Sequence, residues 1–134
     1  MITTILRAPT GAGIHYCALQ LAERARIANE YVAPVAVIVP PIKELIEQWK
    51  RIAGGLDILV NVYRPNEWKR LRAGQGNGIV LVNELRWHHL NPILQALQDD
   101  THEHWLLNPP LEIEIEIGVN LQPRPPRRID GKGV

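Results

Sequence analysis

Two short runs, Val35-Ala36-Val37-Ile38-Val39 and Ile79-Val80-Leu81-Val82, are apolar at every position, and they restrict the fold more than any other feature. A run of that kind reads as a strand buried on both faces, the situation in a parallel sheet whose crossover helices cover both sides. Further strand candidates are 2–7, 57–63, 105–107 and 111–117. Amphipathic stretches lie between them. Ile14, Ala18, Leu21, Ala25 and Ala28 recur at helical steps, and so do Ile42, Leu45, Ile46, Trp49, Ile52 and Ala53, with Lys43, Glu44, Glu47 and Lys50 outside. Gly54-Gly55 is expected to end the second helix. A shorter helix is predicted over 66–71. Asn91-Pro92 supplies a cap and a first-position proline for another, with Leu94 and Leu97 facing inward. The glycine-rich 73–78 reads as a loop. This alternation predicts a three-layer α/β domain, mainly parallel sheet with flanking helices.

At 134 residues and 46% hydrophobic content the chain suits one globular domain, placed at 1–118. Residues 119–134 read as an extended, mobile tail of Arg, Pro and Gly. The 1–118 part holds 11 Lys/Arg against 13 Asp/Glu, whereas the tail carries Arg124, Arg127, Arg128 and Lys132 against Asp130. A mildly acidic body argues against a domain-wide nucleic-acid surface. Within 111–117 the isoleucines alternate with Glu112, Glu114 and Glu116, which are expected to guard an outer face. A single cysteine, Cys17, excludes an internal disulfide and favours a reducing compartment; its expected role is a small packing unit. No apolar run reaches the roughly 18 residues of a membrane span, and no signal-peptide pattern is evident, so a cytoplasmic location and no membrane partner are expected.

The segment Ala8-Pro9-Thr10-Gly11-Ala12-Gly13-Ile14-His15 lies between an apolar strand and a helix, the context in which backbone N–H groups cradle phosphate. A working phosphate loop continues with Lys for the β/γ-phosphates and Ser or Thr for Mg²⁺. Here those positions hold Ile14 and His15.

Three segments in order resemble the first RecA-like (P-loop NTPase) motor domain of superfamily 2 helicases, over about residues 2–107. Ala8-Pro-Thr-Gly-Ala-Gly13 is similar to the first motif, and Val37-Ile-Val-Pro-Pro-Ile-Lys-Glu-Leu-Ile-Glu-Gln-Trp49 to the next. Ile79-Val-Leu-Val-Asn-Glu84 with His88-His89-Leu90 resembles the Walker B strand and its box. The resemblance implies a RecA-like core, and the departures fall on its chemistry. Ile14 cannot neutralise phosphate charge. Asn83 stands where the Walker B Asp would, and an amide is a poorer ligand for a hard cation. Arg86 occupies the box histidine position, and only Glu84 keeps its type.

The degenerate loop (Gly11, Ala12, Gly13, Ile14, His15) and degenerate Walker B pair (Asn83, Glu84) imply a pseudo-ATPase: no catalytic residues, no cofactor, and a binding or assembly role through self-association or a protein partner. Such a degraded copy suits a viral or mobile-element genome. An alternative is nucleic-acid binding through Arg64, Lys69, Arg70 and Arg72 with Trp68, helped by Arg124, Arg127 and Arg128. A second alternative is nucleotide binding without hydrolysis. An acid–base role for His15 beside Glu84 ranks last, because no nucleophile or oxyanion arrangement accompanies it. His102 and His104 share a strand face, but adjacent His88 and His89 cannot easily face one ion and no carboxylate has a diagnostic spacing, so no metal is expected.

Overall fold

The computed structural model describes residues 2–9, 13–71, 76–83, 101–110 and 127–129. In chain order the elements are β1 (Ile2–Leu6), α1 (Ile14–Ala28), β2 (Val35–Ile38), α2 (Lys43–Leu56), β3 (Val60–Tyr63), α3 (Pro65–Leu71), β4 (Gly78–Asn83), β5 (His102–Leu107) and β6 (Arg127–Ile129). The strands form one sheet in the order β3-β2-β4-β5-β1-β6, with every neighbouring pair parallel. As the apolar runs predict, every residue of β2 and β4 is buried.

Alternation divides the strand residues between two faces. Leu6, Val35, Val37, Val39, Ile79, Leu81, Trp105 and Leu107 join Ala18, Leu19 and Ala22 of α1 and Trp49, Ile52 and Ala53 of α2 in one core cluster. The opposite face carries His102 and His104, whose rings stand 5.0 Å and 6.1 Å from that of Trp68 on α3. Helices on both sides of a parallel sheet make this a three-layer α/β domain.

Several boundaries differ from the sequence reading. Helix α2 continues through Gly54-Gly55 and ends at Asp57, whose φ of 56° takes the left-handed capping conformation. Ile58 then donates to the Ala53 carbonyl at 2.9 Å, and Leu56 and Ile58 pack on the core. That apolar contact holds the last turn in place, and Asp, which tolerates the left-handed region, performs the role expected of the glycines. The strand expected from residue 57 therefore begins only at Val60. β5 is longer than the predicted 105–107, starting at His102.

The α1 face is centred on Ala18, Leu19 and Ala22, flanked by Ile14, Leu21 and Ala25; Ala28 at the helix end is exposed rather than inward. Ile42 is the exposed N-cap residue of α2, not part of its packed face. Within the segment expected as a tail, Arg127–Ile129 runs extended beside β1. The predicted loop residues 73–75, the helix after Asn91 and the 111–117 strand lie outside the described residues. Among the described residues, no helix is long and apolar enough to cross a membrane.

Candidate functional site

In a parallel sheet the strand carboxyl ends and the helix N-termini that follow them gather at one edge, where ligands of such folds bind. Here that edge collects the exit of β1, the first turn of α1, the end of β4 and the exit of β5. Asn108 ties two of these together. It has φ 44°, and its side chain brackets the backbone of Ala8: Oδ1 accepts the Ala8 N–H at 2.9 Å while Nδ2 donates to the Ala8 carbonyl at 3.1 Å. Its own N–H donates to the Leu6 carbonyl at 2.8 Å, and Arg7 donates to the Pro109 carbonyl at 3.1 Å. The start of the glycine loop is thereby fixed to the β5 exit. Sequence reasoning missed Asn108. Its signal is a strand running into Asn-Pro-Pro, because Asn is the non-glycine residue that best tolerates positive φ.

Gly13 is the N-cap of α1 with φ 74°, and the Cys17 N–H donates to its carbonyl at 3.1 Å. A Cβ at Gly13 would meet nothing within 4 Å, so the backbone angle, not crowding, requires glycine there. Thr10, Gly11 and Ala12 lie outside the described residues. Ile14 is half-buried and packs against the core cluster. Its side chain is thus drawn inward, towards apolar neighbours.

His15 turns its ring against Trp49 of α2, with centroids 4.8 Å apart and planes tilted by 45°. Asn83 ends β4 opposite Leu107 and is 2% exposed. His15 Nε2, Trp49 Nε1 and Asn83 Oδ1 are all shielded from solvent and have no hydrogen-bond partner among the described residues. Such groups destabilise a fold by roughly 1–3 kcal/mol each when left unpaired, and they tend to mark functional positions. What the edge offers chemically is a helix N-terminus, an imidazole and a buried amide, with the apolar side chain of Ile14 beside them. Glu84 lies outside the described residues, and with it the proposed His15–Glu84 pairing.

Arg64 and Arg70 are exposed, but Trp68 is fully buried, with Tyr63 5.5 Å away ring to ring, so it offers no base-stacking surface. Trp68 takes its place beneath the sheet because α3 is an amphipathic helix, started by Pro65 and capped where Glu67 Oε1 accepts the Arg64 N–H at 2.9 Å. Lys69 lies in α3, and Arg127 and Arg128 lie in β6; the placement of these three side chains, and of Arg72 and Arg124 as a whole, is outside what is described.

His102 and His104 do share one face, with rings 6.2 Å apart and His102 Nδ1 2.9 Å from Thr101 Oγ1. Both are buried against the indole of Trp68. Among the described residues, no group of three or more His, Cys, Asp or Glu is placed to hold a metal ion. Cys17 is exposed on α1, not the packing unit expected of it. Compared with known proteins, the chain matches no family model and no curated protein.

Proposed function

We propose that this domain is a helicase-like pseudo-ATPase module that works through binding and assembly and does not turn over nucleotide. The observation that carries this reading is the inward packing of Ile14 on the core cluster at the position where a phosphate-binding lysine would stand. Two neighbouring substitutions support it. His15 is occupied by its contact with Trp49, and Asn83 presents an amide where a carboxylate would hold Mg²⁺. The clamp of Asn108 on Ala8 ties the loop entrance to the exit of β5.

Calorimetry with ATP and Mg²⁺ tests the reading, run on the wild type beside the double variant Ile14→Lys, His15→Thr. The expected result is a silent wild type and a double variant that binds. Heat of binding from the wild type overturns it and moves nucleotide sensing to the front.

A further inference from the structure

We propose that two copies of this chain pair through the outer edge of β3, antiparallel about a two-fold axis at Asn61, so that their sheets become continuous. This gives the assembly role a surface, and it rests on that reading only for its use in the cell.

The argument begins with backbone direction. β3 closes one end of the sheet and pairs on its inner side with β2, where the Val39 N–H donates to the Tyr63 carbonyl at 2.9 Å. Since the N–H and C=O of a strand residue point to one side and alternate along the chain, Asn61 and Tyr63 turn towards β2. Val60 and Val62 turn outward. The flanking groups are already engaged: the Ile58 N–H donates to the Ala53 carbonyl at 2.9 Å, and the Arg64 N–H donates to Glu67 Oε1 at 2.9 Å. The open edge thus consists of the N–H and C=O of Val60 and Val62, which no described residue covers.

The edge also lacks the usual guards. The sequence Ile58-Leu59-Val60-Asn61-Val62-Tyr63 contains no charge and no proline, and Leu59 is 72% exposed. An uncharged apolar edge of this kind templates a further strand.

A second copy satisfies this edge in one register. With Asn61 opposite its counterpart, Val60 faces Val62 of the second copy, both outward-turned, and the two pairs exchange hydrogen bonds that use every open group. A shift of two residues sets Val60 or Val62 against Ile58 or Arg64, whose N–H is taken. A shift of one residue would oppose side chains from different faces. In the favoured register Leu59 meets Tyr63 of the second copy.

The test uses the full chain. Wild type is expected to sediment as a concentration-dependent dimer. On the axis the two Asn61 form a non-hydrogen-bonded pair with Cα atoms about 4.5 Å apart, within disulfide reach. The variant Asn61→Cys, made with Cys17→Ser to remove the exposed native thiol, is therefore expected to cross-link on oxidation, while Leu59→Cys in the same background does not. Asn61→Lys sets two ammonium groups face to face and is expected to weaken the dimer at least about tenfold.

A wild type that stays monomeric at high concentration overturns the proposal, and so does a dimer that neither cross-links through Asn61→Cys nor responds to Asn61→Lys. The cross-linking arm stands if the lysine variant fails to fold. Nucleotide binding by the wild type would overturn the pseudo-ATPase reading and leave these readouts unmoved.

Discussion

Trp49 and Trp68 are both fully buried, one on each face of the sheet, and their surroundings differ in kind. Around Trp49 the layer is mainly aliphatic, built from residues such as Leu19, Val37, Ile52 and Leu81, with the His15 ring 4.8 Å from the indole. The polar groups on that face divide between a paired rim and three buried atoms, His15 Nε2, Trp49 Nε1 and Asn83 Oδ1, that have no hydrogen-bond partner among the described residues. Asn108 brackets Ala8 at one end; at the other, the Tyr31 hydroxyl donates to Glu103 at 2.7 Å. Around Trp68 the polar side chains lie in the middle of the layer, where Tyr63, His102 and His104 meet the indole tilted or edge-on. An aliphatic face is specified by volume and periodicity. An aromatic and imidazole face also depends on ring geometry and on where each nitrogen finds a partner.

The largest test of this comparison removes each tryptophan. Trp49→Ala and Trp68→Ala are each expected to cost about 3–5 kcal/mol, read as a fall in the urea midpoint with an unchanged slope. Neither indole N–H has a partner among the described residues, so Trp→Phe at either site is expected to give back part of the loss by removing an unpaired donor. The α3 layer is not a true core if Trp68→Ala costs less than about 1 kcal/mol.

The same contrast decides what was legible in the sequence. Runs such as Ile79 to Val82 announce a doubly covered strand, and helical spacing finds most of the α1 and α2 packing surface. The other face was misread in parts. Trp68 lies between Glu67 and Lys69 in a basic neighbourhood, so local composition pointed to solvent while the register of α3 buried it. Helix ends were hard for a related reason. Two glycines look like a stop, but Leu56 and Ile58 are held by tertiary contacts, and the turn is made by Asp57. At the candidate site, the identities of Ile14, His15 and Asn83 were plain. What they touch was not, because the contact between His15 and Trp49 joins residues far apart in the chain.

At the rim, Asn108 offers a medium-sized effect that separates two causes. Asn108→Ala loses both bonds to Ala8 and places a Cβ residue without a local hydrogen bond at φ 44°, for a combined cost of about 1–3 kcal/mol. Asn108→Gly loses the bonds but relieves the backbone, and its stability is expected between Ala and wild type. A glycine variant as stable as wild type would show that the two bonds do no more than offset the strain of the left-handed backbone.

The smallest expected effect, at the opposite rim, concerns pH. The hydrogen bond to Glu103, together with burial, raises the Tyr31 hydroxyl above its ordinary value of 10.0. The phenol is therefore held protonated in the fold after the unfolded chain would release the proton. Stability from this pair is complete below about pH 10 and is lost as pH rises through the folded value. Tyr63, on the other face, is raised mainly by burial and then by Glu67, so its contribution falls in the same direction. Thermal melts from neutral to alkaline pH are expected to show a declining midpoint. Tyr31→Phe should melt slightly lower at neutral pH, for want of one hydrogen bond, and decline less steeply above pH 10. An alkaline decline as steep as that of the wild type would mean that the rim pair is not coupled to folding, and the contrast between paired rim and aromatic centre would then rest on Trp49 and Trp68 alone.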